Sequence, residues 1–250
     1  MARAADEIFD DDAFAAFYDS FNTWSAGDDF YLALARDRGG PVLDLGCGTG
    51  MLACRIASEV SPVVGVDPAA GMLRVARSRL GAEKVAWIKD VAQNLHLSQR
   101  FNLIYLTGHA FQVFLTDEDV LAVLKMAARL LNPDGRLAFE TRNPEDRAWL
   151  TWNPAESREM VVTSEHGRVE ESCDTVYNAG TGIAEITHHY RFLDKGGERV
   201  GHSRLRFIAQ NHLADLIAAA GLTPRIWYGN WDRSPCAPAA PEIIIMAGLK

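Results

Sequence analysis

Two hundred and fifty residues, 48% hydrophobic and 23% charged, exclude a disordered or fibrous chain and suffice to bury a large core without metals or disulfides. A formal net charge of −8 argues against a polyanionic partner such as nucleic acid, because that binding rests on lysine and arginine neutralising phosphates. The four cysteines show no C-x-x-C spacing, no secretory leader is apparent, and no apolar run approaches the roughly 18 residues that span a bilayer. A cytoplasmic protein with reduced thiols and no membrane partner is therefore expected.

Residues 11–38 read as two short helices parted near 25–27, with Phe14, Phe17, Tyr18 and Phe21 at helical spacing on the first. From Pro41 short apolar runs alternate with amphipathic helices: strand 41–46, helix 50–60, strand 63–67, helix 69–80, strands 84–89 and 101–107, helix 117–131 and strand 135–141. That alternation predicts a doubly wound α/β fold with a mostly parallel sheet covered on both faces. In helix 117–131, Val120, Leu124, Ala127 and Leu131 share one stripe, and the turn chemistry of Asn132-Pro133-Asp134-Gly135 is expected to stop it. Between 158 and 208 strand-like runs break at Gly167, 178–182 and 194–197, which predicts an antiparallel insertion of three or four strands after the fifth sheet strand. The run His202 to Arg206, the densest in positive charge, reads as the solvated face of one of them. A helix at 210–220 ended by Gly221, a strand near 224–229 and a strand at Ile243 complete the sheet. The expected organisation is an N-terminal helical lid (1–40), a core built from 41–144 and 209–250, and an antiparallel β insertion (145–208).

The first strand delivers Gly46-Cys47-Gly48-Thr49-Gly50 into the turn before a helix, at the carboxyl edge where open α/β sheets bind ligands. The spacing is G-x-G-x-G; the dinucleotide fingerprint needs its third glycine at position 51, which is Met51, so a nicotinamide-dependent oxidoreductase is disfavoured. Asp44 lies inside an apolar strand, where an ionised carboxylate must be hydrogen-bonded to amides or answered by a cationic ligand. Asp67 ends the second strand about 20 residues past the glycines, placed to accept from both hydroxyls of a ribose. Asp90 ends the third strand and reads equally as a cap or as a contact to an exocyclic amine.

These spaced elements resemble the class I, Rossmann-like S-adenosylmethionine-dependent methyltransferases over roughly residues 40–142 and 210–250. The resemblance implies a seven-stranded, mostly parallel sheet, S-adenosyl-L-methionine as cofactor, S-adenosyl-L-homocysteine as product, and no metal. It implies that Gly46, Cys47, Gly48 and Gly50 line the methionyl and adenosyl portions, with Asp44 beneath them. Asp67 and Pro68 would hold the ribose, Met72 would pack near adenine, and Asp90 with Val91 would read its edge. Leu106 and Thr107 would lie beneath the methionine moiety and Tyr18 over the cofactor. The N-terminal helices and the insertion are similar to those of small-molecule methyltransferases, amino-sugar N-methyltransferases among them. That likeness implies transfer to a nitrogen or oxygen of a small acceptor, with substrate or homodimer contacts on the insertion.

Sulfonium chemistry leaves the protein mainly to align the acceptor and exclude water. If a base is needed, His109, just past the fourth strand, is the candidate. His188 and His189 point to opposite faces of a strand, and His188 shares its face with Ile186, Tyr190 and Phe192, which suggests packing. The fourth-strand end lacks an Asn-Pro-Pro-Tyr segment and the aspartate of metal-assisted catechol chemistry, which lowers both classes. Trp24, Phe30, Trp149 and Trp152 are candidates to wall an acceptor pocket. A second reading is a non-catalytic S-adenosylmethionine sensor or assembly module on the same fold.

Overall fold

The computed structural model describes residues 7–250. Helices α1 (Glu7–Asp10), α2 (Asp12–Phe21) and α3 (Ala26–Arg38) come first. The expected break at 25–27 is a capping box: Ser25 Oγ accepts from the Asp28 amide and the Ser25 amide donates to Asp28 Oδ2 at 2.7 Å. The alternating segment then forms β1 (Val42–Leu45), α4 (Met51–Ala57), β2 (Val63–Asp67), α5 (Ala70–Ser78), β3 (Val85–Lys89), β4 (Phe101–Leu106), α6 (Asp117–Leu130) and β5 (Leu131–Arg142). The insertion supplies β6 (Glu159–Thr163), β7 (Gly167–Asn178), β8 (Ile183–Phe192) and β9 (Glu198–Arg206); α7 (Gln210–Ala219), β10 (Leu222–Tyr228) and β11 (Glu242–Leu249) close the chain.

The main sheet runs β10-β11-β5-β4-β1-β2-β3. Only β11 opposes the rest, pairing antiparallel with β5 and β10. The carboxyl ends of β1 to β5 therefore share one edge. The insertion is a separate antiparallel sheet of four strands, β6-β7-β8-β9.

Two boundaries differ from expectation for identifiable reasons. The helix expected over 50–60 ends at Ala57, where Ser58 Oγ turns back to donate to the Arg55 carbonyl at 2.7 Å. The turn expected at 132–135 does not separate α6 from β5. Leu131 already pairs with Phe101, and Arg136 next pairs with Leu103, so the intervening residues bulge out of a strand that has begun. Gly135 is needed there, because a Cβ would lie 2.7 Å from the Phe101 carbonyl oxygen. Gly221, at φ 82°, ends α7 as the sequence suggests.

Strand alternation splits the core between the two faces of the sheet. Leu43, Leu45, Ile104, Leu106 and Phe139 pack with Val120, Leu124, Leu213 and Ile217 of α6 and α7. Val42, Leu103, Tyr105 and Ala138 pack with Tyr31, Leu34, Leu52 and Ile56 of α3 and α4. Each such fully buried aliphatic or aromatic side chain contributes about 1.5–3 kcal/mol. A third cluster joins Phe14 and Phe17 of α2 to Met72 of α5 and to Val169 and Tyr190 of the insertion. It holds the N-terminal helices between sheet edge and insertion, which roofs the site. Among the described residues no helix is long and apolar enough to cross a membrane.

Candidate functional site

A cleft of about 630 Å³ lies along the carboxyl edge of β1 to β5, beneath α2 and the inner face of the insertion. Of the residues expected around a cofactor, Tyr18, Gly46, Gly48, Asp67, Pro68, Met72, Asp90, Val91, Leu106 and Thr107 line it, and so does His109. Asp44, Cys47 and Gly50 do not.

The glycine turn is drawn onto β2 by the Gly46 and Cys47 amides, which both donate to the Val66 carbonyl at 2.8 and 3.1 Å. Gly46, Gly48 and Gly50 all have positive φ, but for different neighbours. A Cβ on Gly48 would meet nothing within 4 Å, leaving its backbone bare to the cleft. A Cβ on Gly50 would lie 2.5 Å from the Trp87 ring, so that glycine serves packing.

Asp67 is 7% exposed, with each carboxylate oxygen accepting one backbone amide: Oδ2 from Gly48 and Oδ1 from Ala69, both at 2.8 Å. Burial raises its pKa and the two amides pull against that. Each oxygen keeps a further lone pair. Asp90 Oδ1 accepts from the Val91 amide at 2.8 Å, so it fills the turn role and stands in the cleft as well. Asp44 is 1% exposed, and neither its Oδ1 nor the nearby Tyr105 hydroxyl has a well-aligned partner among the described residues. Burial lifts its carboxyl to about 7, with the Tyr105 hydroxyl opposing. The amides expected to satisfy it are not at that oxygen.

The roof is latched to this floor. Thr49 Oγ1 donates to Asp19 Oδ1 at 2.6 Å, and Arg79 donates to the Thr49 carbonyl at 2.6 Å while pairing with Asp19. The Ala70 amide, at the start of α5, donates to Asp10 Oδ1 at 2.6 Å. Tyr18, held between, is raised to about 12 by burial and then by the negative charge of Asp67, so its hydroxyl stays protonated.

The other end of the cleft was largely invisible in the sequence. His109 follows Gly108 with both residues at positive φ, a turn held by the buried Glu140, whose Oε1 accepts the His109 amide at 2.7 Å. Tyr31 donates to the other oxygen of Glu140. His109 Nε2 lies 2.9 and 3.1 Å from the two oxygens of Glu242, the first residue of β11. A carboxylate there favours the tautomer protonated at Nε2 and leaves Nδ1 as the basic nitrogen.

Beside them Arg142 Nη1 donates to Gln112 Oε1 at 2.9 Å, and the guanidinium lies 5.0 Å from the centre of the Trp152 ring. The insertion adds a polar chain. His188 Nε2 is 2.9 Å from Ser203 Oγ, His188 Nδ1 is 3.3 Å from Glu171 Oε1, and the Tyr190 hydroxyl donates to that same oxygen at 2.9 Å. His188, expected to be a packing residue, thus faces the cleft within a hydrogen-bonded set. Of the aromatic residues proposed to wall the pocket, only Trp152 lines the cleft. Trp149 stacks on Tyr177, Phe30 packs against Tyr31 and Trp231, and Trp24 is exposed and bonded to Asp29.

Residues 42–135 match the family described as a methyltransferase domain. The chain is similar to the ubiquinone biosynthesis O-methyltransferase of Serratia proteamaculans (strain 568), 33% identical over 113 residues, or 44% of this chain and 45% of that one. It spans about half the length of the curated relatives it matches. Its fold is similar to that of an S-adenosylmethionine-dependent methyltransferase from Clostridium acetobutylicum ATCC 824, with TM-score 0.79, 15% identity, and 95% and 98% of the two chains covered. It is also similar to S-adenosylmethionine-bound CalS10, an amino pentose methyltransferase from Micromonospora echinaspora, with TM-score 0.71, 20% identity, and 95% and 97% covered.

Proposed function

We infer that this chain is a class I, Rossmann-like S-adenosylmethionine-dependent methyltransferase that transfers a methyl group to a nitrogen or oxygen of a small acceptor held under the insertion. The observation that carries this is Asp67. Two oxygens, each fixed by one amide and each with a lone pair to spare, stand beside the bare backbone of Gly48 in the same cleft. That suits a vicinal diol, and Asp90 with Val91 and Met72 extends the floor for a base. The Asp44 carboxyl one layer below, whose Oδ1 has no partner among the described residues, suits a ligand that brings positive charge.

Bound there, S-adenosylmethionine supplies an electrophilic methyl on a sulfonium. The chain's own residues hold Leu106 and Thr107 beneath it, close α2 over it through Tyr18 and the Asp19 latch, and exclude water. At the acceptor end His109 Nδ1, oriented by Glu242, takes a proton from a hydroxyl or ammonium acceptor. The acidic surface supports a small-molecule acceptor over nucleic acid. A protonated amine or a hydroxyl each fits this base: one protein of similar fold is the sugar N-methyltransferase KedS8, and a relative by sequence is the ubiquinone biosynthesis O-methyltransferase.

Asp67→Ala removes two acceptors for a diol, each worth about 1.5–3 kcal/mol when charged. Calorimetry with S-adenosylhomocysteine is expected to show affinity reduced by about a hundredfold or more, with circular dichroism unchanged. Undiminished affinity in a folded variant overturns the ribose assignment. Formation of S-adenosylhomocysteine across a panel of amine and hydroxyl acceptors then separates an enzyme from a sensor.

A further inference from the structure

At the end of the cleft away from Asp67, a guanidinium stands outside any ion pair among the described residues. Arg142 closes β5, is mostly buried in the cleft wall, and makes no ion pair among the described residues. Its cross-strand neighbour on β11 is Glu242, but that carboxylate is engaged by His109. The Arg142 side chain makes one hydrogen bond, from Nη1 to Gln112 Oε1. Gln112 is itself 1% exposed and anchored through Nε2 to the Arg206 carbonyl at 3.2 Å, so the guanidinium is steered by a fixed group. Trp152 provides a flat wall over it. Nε and Nη2 find no partner among the described residues, although a guanidinium offers five donors in a fork matched to planar oxyanions. Burial lowers the Arg142 pKa against the pull of Glu242 and Glu140, the mark of a charge not fully answered by the protein.

We propose that Arg142, fixed by Gln112 and walled by Trp152, binds a carboxylate of the methyl acceptor, so that the substrate class is a small acid bearing a nucleophilic nitrogen or oxygen. Glu140 and Glu242 close by penalise a phosphate dianion more than a carboxylate monoanion. The proposal rests on the reading of this cleft as a methyl-transfer site, and the placement of His109 and Glu242 beside Arg142 lets one substrate meet both the base and the anion site.

The test uses benzoate and its neutral counterpart benzamide as probes, titrated by ligand-observed NMR into the full-length protein saturated with S-adenosylhomocysteine. Benzoate is expected to bind more tightly than benzamide by about tenfold or more, as a charge-assisted fork predicts. Arg142→Gln is expected to erase the difference, and Arg142→Lys to keep part of it, because lysine retains the charge and loses the fork. Equal binding of the two probes to the wild type, or a benzoate preference that survives in Arg142→Gln, overturns the proposal. Unchanged S-adenosylhomocysteine affinity certifies each variant as folded; if the glutamine variant fails that check, the lysine variant decides, and an undiminished preference there overturns the fork. Should the wild type not bind S-adenosylhomocysteine at all, the methyl-transfer reading fails, while the same probe comparison on the free protein still decides whether Arg142 is an anion site.

Discussion

The two ends of the cleft are built by different means. At the Asp67 end the cleft is faced mainly by backbone and carboxylates from one stretch of chain, residues 45–91, set by tight turns and close glycine contacts. At the Arg142 end they are side chains drawn from the loop after β4, the end of β5, the insertion and the start of β11. On the function proposed above, the first end meets a shared cofactor through a standard backbone frame, and the second meets an acceptor through side chains that vary freely on the same scaffold. The contrast makes the first end rigid and costly to alter and the second cheap to alter.

Asp44 gives the largest expected effect. Its carboxyl titrates near 7 in the folded protein, against about 3.9 in an unfolded chain. Below pH 4 both states carry the proton. Between pH 4 and 7 only the folded state does, so stability falls by about 1.4 kcal/mol per pH unit, and above pH 7 roughly 4 kcal/mol has been lost. Asp44→Asn is expected to remove that slope and to raise the stability of the cofactor-free protein at pH 8 by about 3–4 kcal/mol, with little change at pH 4. Urea unfolding of both proteins at pH 4, 6 and 8 measures it. Parallel pH profiles for wild type and variant would mean that the ionised carboxylate is already compensated, and the first end would lose its distinguishing cost.

Gly50 comes next. A Cβ there meets the Trp87 ring at 2.5 Å from a backbone at φ 75°, and Gly65 lies under the same ring. Gly50→Ala is expected to destabilise by about 2–3 kcal/mol through strain and overpacking. Adding Trp87→Leu is expected to recover the overpacking part, a coupling that a double-mutant cycle in urea reads directly. Strict additivity would show that the glycine answers to something other than the indole.

The same contrast explains what could be read in advance. Asp67 was legible because a strand end and a spacing of about 20 residues place it by local geometry alone. Spacing locates the turn that holds Cys47 and Gly50 without saying which side of it faces the cleft; Trp87 decides that for Gly50, and nothing near the motif announces Trp87. The four-stranded insertion was legible from its turns, since Gly182 and Gly197 hold the positive φ their hairpins require. Arg142 was not, because its place depends on the bulge at 132–135 and on the antiparallel register with β11, and a slip of one residue sends it to the opposite face. The polar setting of His188 is hidden for the same reason: its own strand shows apolar neighbours, while Glu171 and Ser203, which make its face polar, arrive from the strands on either side.

The smallest effect tests whether the second end is adjustable. Glu242 is separated from His109 by 133 positions, touches no expected cofactor group, and acts through the imidazole as a positioning residue. Glu242→Gln keeps a hydrogen-bond acceptor for Nε2–H and removes the negative charge beside the ring. With an acceptor found by S-adenosylhomocysteine formation, kcat is expected to fall by about tenfold, because the imidazolium formed as the acceptor's proton is taken loses its counter-charge. KM for S-adenosylmethionine is expected to stay constant, since the Asp67 end is untouched. A raised KM for S-adenosylmethionine would reduce Glu242 to a structural prop, and an unaltered kcat would move the proton acceptor to His188, which Glu171 and Ser203 hold from the insertion.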